Sequence, residues 1–143
     1  MKILYTYLNQ FGEQSEVLEA VLVKDSIYKI VQIPENAYGI SKNDEIEALF
    51  ISDEKIPEFI RFTKKSGNAT LMITQFPSEE TKNKICQKLE EEFCEIVQCH
   101  DKWNVNVLQV ADLEQIQNLL QSHKVLFQIL NPNPYEGNLI LPF

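Results

Sequence analysis

The sequence predicts an α+β fold. A β-rich N-terminal half, residues 1–76, forms a small twisted sheet or half-open barrel, and a ferredoxin-like β-α-β-β-α-β half, residues 69–143, shares strand 69–76 with it in one compact unit. Three observations lead there. Apolar residues alternate with a period of two through residue 76, with no helical stretch. At Pro77 the period lengthens to that of a helix. Counted from residue 69, the order strand, helix, strand, strand, helix, strand is the ferredoxin-like order. A length of 143 residues with 44% apolar content suits one domain or two small halves on a common core.

Residues 3–8 read as a strand from their aromatic and β-branched content, and Asn9–Ser15 as a polar connection. In 16–24, Val17, Val21 and Val23 alternate with Leu18, Ala20 and Leu22, a strand with apolar residues on both faces. Asp25 and Ser26 turn the chain into strand 27–33, which Pro34 ends. Gly39 and the run Ser41 to Asp44 supply turn chemistry: glycine reaches positive φ without strain, and Asn or Asp side chains bond the local backbone. Strands 45–51 and 59–64 follow, and Ser66, Gly67 and Asn68 read as a tight hairpin turn into strand 69–76.

After Pro77, Ser78 is the expected N-cap of a helix over 79–93, with Glu79 and Glu80 placed favourably for the dipole and Ile85, Cys86, Leu89 and Phe93 along its apolar stripe. Strands 94–100 and 103–110 flank the turn at His100 to Lys102. Asp112 with Gln115 is a capping pattern for a second helix carrying Leu113, Ile116, Leu119 and Leu120. Strand 126–130 follows, and Leu139–Phe143 is expected as an extra edge segment, kept off a central position by Pro142.

Composition limits function. Thirteen basic against 21 acidic residues leave a net charge of −8, and Arg61 is the sole arginine, so the basic stripe that phosphate backbones require is missing and nucleic-acid binding is not expected. No apolar run nears the roughly 18 residues of a membrane helix. Asn9, Gln10 and Glu13 interrupt the start too early for a signal-peptide core, which makes the cytosol the expected location and a membrane partner unexpected. Three cysteines between Cys86 and Cys99 suggest reduced thiols, not a disulfide framework.

Cys86, Cys94, Cys99 and His100 are ligand types close in sequence, but alternation along a strand 94–100 sends Cys94 and Cys99 to opposite faces, and no C-x-x-C spacing occurs. Core or edge thiols are therefore expected, with neither metal nor cofactor. Strand geometry also separates Cys99 from His100, which removes a thiol–imidazole pair. His123, near the end of the second helix, is expected to bond its last carbonyls. Paired carboxylates such as Asp44 and Glu45 or Asp53 and Glu54 lie in turns or on solvated faces, and Glu47 and Glu58 alternate outward, so none sits in the apolar setting that makes a general acid. No enzymatic constellation emerges. Trp103, beside a turn, reads as a lid on the core. Tyr38 and Asn68, expected in exposed loops, are candidate contact residues.

The pattern Tyr28-Lys-Ile-x-x-Ile-Pro-x-x-Ala-Tyr-Gly-Ile-x-x-x-Asp44-x-Ile46-x-Ala48, with Phe59 and Ser66-Gly67-Asn68-x-Thr70, resembles the bacterial family called domain of unknown function 4265 over residues 17–76. That resemblance implies no reaction. Residues 37–48 also resemble the glycine-Asp box of cradle-loop barrels, with Asn43 where the box usually has glycine.

Small acidic cytosolic proteins without catalytic constellations are similar, as a class, to bacterial toxin-neutralising immunity proteins, whose negative surfaces pair with basic nucleases. The expected function is therefore non-enzymatic binding of a cognate toxin, through the acidic residues Glu90, Glu91, Glu92, Glu95 and Asp101 together with Tyr38 and Asn68. The alternative is a small-molecule-sensing regulatory domain, and third an enzyme built on the Tyr38 and Asp44 loop or on Cys99 and His100.

Overall fold

The computed structural model describes residues 1–51 and 55–132. Strands β1 (Lys2–Asn9) and β2 (Gly12–Lys24) form one long antiparallel hairpin in which Asn9 faces Gly12. Gly12, at φ 103, lets the chain reverse within two residues, so the expected polar connection over 9–15 is strand instead. On β2, Leu18 and Ala20 point inward while Val17, Glu19 and Val21 point out, the alternation of a sheet with one face on a core.

Strands β3 (Ile27–Ile30), β4 (Glu45–Leu49) and β5 (Glu58–Lys64) continue antiparallel, and β5 closes on β1 in parallel at Leu4 and Glu58. The result is a closed five-stranded barrel, where a small twisted sheet or half-open barrel is expected from the sequence. Ile3, Tyr5, Leu18, Ile30, Ile40 and Ile46 fill it.

Closure explains a second departure. The expected hairpin at Ser66 to Asn68 does not form: both edges of β5 are taken, so β6 (Ala69–Gln75) has no edge to join. Gly67, at φ 87, turns the chain into another sheet, where β6 pairs with β8 (Lys102–Val107) and β9 (Leu126–Asn131). With β7 (Cys94–Cys99) outside β8, the order is β7-β8-β6-β9, antiparallel throughout.

Helices α1 (Glu79–Glu91) and α2 (Leu113–Ser122) begin where the caps were expected: Ser78 Oγ accepts the Thr81 N–H, and Asp112 Oδ1 accepts the Gln115 N–H at 3.2 Å. Ile85 and Leu89 from α1 and Leu113, Ile116 and Leu120 from α2 lie over Ala69, Leu71, Ile73, Val105 and Val107, so both helices cover one face. The fold is α+β, a barrel plus a helix-covered sheet. The edge segment expected at Leu139–Phe143 lies outside the described residues. No helix among the described residues is long and apolar enough to cross a membrane.

The other face of the sheet meets the barrel through the loop 31–44 between β3 and β4. Thr70, Asn104, Asn106 and Asn131, all buried, project from that face. Asn104 donates to the carbonyls of Pro34 (3.2 Å) and Glu35 (2.8 Å), and Gly39 N–H to the Leu130 carbonyl (3.1 Å). The Ser41 hydroxyl lies 2.7 Å from that of Thr70 and accepts from Asn131 at 2.7 Å. A loop backbone carries polar groups that burial would orphan; Asn104 and Thr70 satisfy the carbonyls of Pro34, Glu35 and Ile40, while Asn131 serves the Ser41 hydroxyl and Asn106 turns to Glu95. Loop 31–44 is thus a clasp between barrel and sheet.

Candidate functional site

Where the clasp passes β7, a cleft of about 250 Å³ opens, lined by Val31, Ile33, Glu35, Glu95, Val97 and Cys99 among others. Its barrel wall is shaped by Glu16. Alternation on β2 puts this residue on the side of Leu18 and Ala20, at the end of the barrel, where its carboxylate accepts the N–H groups of Glu35 (2.7 Å), Asn36 (2.9 Å) and Ala37 (2.8 Å). A carboxylate holding three successive amides fixes the clasp backbone after Pro34 and aims the Glu35 side chain at the second sheet. Glu16 is absent from the sequence-derived candidates, although its inward position on an alternating strand is readable there.

The opposite wall ends at the β7–β8 turn. Cys99 Sγ donates to Glu35 Oε2 at 3.0 Å. His100 Nε2 stands 4.0 Å from Glu35 Oε1, as does Lys102 Nζ, and Lys102 also donates to Asn36 Oδ1. One ligand-type atom each from Glu35, Cys99 and His100 lies within 4.8 Å of the other two. This corrects the expectation that strand alternation separates Cys99 from His100. The strand stops at Cys99, and His100 takes φ 59, which swings its ring back toward Glu35.

The thiol of Cys99 is held in its protonated form, its pKa pushed up first by the hydrogen bond to Glu35, then by burial and by that carboxylate's charge. Such a setting opposes nucleophilic use, which needs an electropositive neighbourhood. The other thiols are further from chemistry: Cys94 lies in the helix-side core, where burial first and Glu92 second push its pKa to about 12, and burial raises that of Cys86.

The acidic candidates do not form one patch. Glu90, Glu91 and Glu92 are exposed at the C-terminal end of α1. Glu95 turns into the cleft, where it takes Lys42 at 3.0 Å and Asn106 at 2.9 Å; burial works against its charge, but these bonds outweigh it and hold the carboxyl below its ordinary value. Asp101 sits beyond the far end of β7, a strand that spans about 17 Å at 3.3 Å per residue. The separation arises because β7 carries the chain across the sheet between the first three acids and the last.

Asn68, expected at an exposed hairpin tip, is buried; it donates to the Lys42 carbonyl at 3.0 Å and accepts the Gln109 N–H at 3.1 Å. Tyr38 is half-buried in the clasp, stacked on Tyr7 at 5.8 Å, with its carbonyl accepting the Tyr5 hydroxyl at 2.7 Å and its own hydroxyl accepting from Gln128. Both residues join barrel to sheet. Trp103 packs edge-on against Phe76, and His123 Nδ1 lies 3.0 Å from the Leu119 carbonyl at the end of α2, as expected.

The end of α1 has one more feature. Phe93, directly after the three glutamates, adopts φ 62 and is 57% exposed. A bulky residue in the left-handed region is costly there, where glycine is the common helix terminator.

The family whose description reads "Domain of unknown function (DUF4265)" matches residues 16–126, extending the resemblance seen over 17–76 through both helices, β7 and β8 to the start of β9. A crystal structure of a hypothetical protein from Neisseria gonorrhoeae is similar in fold, with a TM-score of 0.79 at 17% identity, covering 92% of this chain and 94% of that one. No curated protein matches the sequence.

Proposed function

The chain belongs to the DUF4265 family, and from that premise we propose that it is a non-enzymatic binding protein that engages a basic protein partner through the end of α1, most concretely as a cytoplasmic immunity protein that neutralises a cognate bacterial toxin. The observation that carries this reading is the placement of Glu90, Glu91 and Glu92 beside the exposed Phe93. Negative charge at a helix C-terminus opposes the macrodipole at about 0.3–1 kcal/mol per residue, and Lys88 is the only basic residue in that last turn. A surface that retains three such charges and a strained aromatic gains little stability from them, whereas an aromatic anchor ringed by carboxylates suits a basic partner.

The helix-covered sheet, with strand order β7-β8-β6-β9, supports reading this half as a ferredoxin-like unit. In that reading the end of α1 projects from the face away from the barrel and is free to dock. The test is co-purification with the basic C-terminal domain of a candidate secreted toxin. A stable complex that dissociates at high salt supports the proposal; no complex, or one indifferent to salt, contradicts it.

A further inference from the structure

We propose that Glu35, Cys99 and His100 form a binding site for a divalent transition-metal ion of the zinc class, bridging the clasp and the second sheet. A carboxylate, a thiolate and an imidazole are the donor types that zinc accepts, and three protein donors leave a fourth position open. The three donor atoms already lie within 4.8 Å of one another. Tetrahedral coordination with bonds of about 2.0–2.3 Å wants donors about 3.5 Å apart. Glu35 and Cys99, now hydrogen-bonded at 3.0 Å, need open only slightly to reach it, and the His100 side chain, 79% exposed, has the freedom to close the remaining distance.

Three independent features favour the ion. The donors come from two separate parts of the fold, Glu35 from the clasp and Cys99 with His100 from the β7–β8 turn, and each is aimed by its backbone: Glu35 by the amides that Glu16 holds, His100 by its positive φ. The cleft beside Glu35 and Cys99 provides room for a water or a small ligand atom in the fourth position. The charges also fit. The carboxylates of Glu16 and Glu35 outweigh the ammonium of Lys102, which is anchored on Asn36, and a dication offsets the excess. Binding is a balanced exchange: the Cys99 S–H bond breaks, a sulfur–metal bond forms, and the proton leaves to solvent.

The test is a titration of the full chain with Co²⁺, following the near-ultraviolet thiolate-to-cobalt absorption, with thermal melting in Zn²⁺ alongside. One equivalent is expected to develop the band and raise the melting temperature. Cys99→Ser should abolish the band, while Glu35→Gln and His100→Ala each weaken binding at least about tenfold, since even outer partners of a metal ligand cost 10–100-fold. No band in the parent chain, a band that survives Cys99→Ser and so belongs to Cys86 or Cys94, or unchanged affinity in both Glu35→Gln and His100→Ala would overturn the proposal. Glu35→Gln and His100→Ala keep the thiol, so their paired result remains decisive should Cys99→Ser fail to fold.

Discussion

Asp44 Oδ1 accepts the Ser66 backbone N–H at 2.7 Å, tying the end of the clasp to the chain as it leaves β5 for the second sheet. The other oxygen accepts the Ser41 N–H at 2.9 Å, and the side chain is 1% exposed, with Lys65 at 3.5 Å. One carboxylate thus serves the turn, the clasp and the exit from the barrel. Hydrogen bonds to a charged group contribute about 1.5–3 kcal/mol each, so Asp44→Ala is expected to cost about 2–4 kcal/mol in urea unfolding, and Asp44→Asn less. A loss no larger than that of an exposed carboxylate such as Glu13 would show that the turn holds without it.

Asn43 takes φ 74 immediately before Asp44, the conformation that a glycine-Asp box assigns to glycine. Asn tolerates this region better than other side chains because its short amide can bond locally. Asn43→Gly should therefore leave stability nearly unchanged, while Asn43→Ala should lose about 1–2 kcal/mol. Equal melting temperatures for the parent and Asn43→Ala would contradict this reading.

Alkaline pH should weaken the fold through Cys94. Its thiol ionises near 9.0 in the unfolded chain but only at about 12 in the core, so above 9.0 the unfolded state releases a proton that the native state keeps. The contribution is complete below pH 9.0 and is lost progressively as pH rises toward 12. Tyr5, raised from 10.0 to about 12, chiefly by burial, adds the same sign over a narrower window. Denaturant melts across this range should show a shallower decline for Cys94→Ala than for the parent; parallel declines would remove Cys94 as the cause.

At the end of α1, stability and binding should separate. Phe93→Gly relieves a left-handed phenylalanine and is expected to stabilise the fold by about 1 kcal/mol, while removing the aromatic anchor and weakening partner binding. A variant both more stable and equally competent to bind would assign Phe93 no part in recognition.

Much of the element order is readable in the sequence. The alternation in β2, the switch of period at Pro77 and the caps Ser78 and Asp112 all report local preferences that the fold respects. Features set by tertiary partners are not. Whether Ser66 to Asn68 makes a hairpin depends on β5 already having two neighbours, which no local signal records. Asn68 and Tyr38 look like exposed turn residues because polar and glycine-rich loops usually face water; here Gln128 of the second sheet meets Tyr38, while Lys42 of the clasp and Gln109 beyond β8 hold Asn68. His100 escapes strand alternation through a single positive φ, and with it the Glu35, Cys99 and His100 cluster forms across 64 residues of sequence.

The most direct test of the proposed binding role is isothermal titration of the chain against a candidate basic toxin domain, at low and high salt, for the parent and for the triple variant Glu90→Lys, Glu91→Lys, Glu92→Lys. Reversing these charges removes their conflict with the helix dipole, so the variant should fold at least as stably as the parent. A basic partner should bind the parent in a salt-sensitive manner and lose at least about tenfold in affinity to the variant, a loss of about 1.4 kcal/mol or more. Equal affinity of parent and variant at low salt would contradict it.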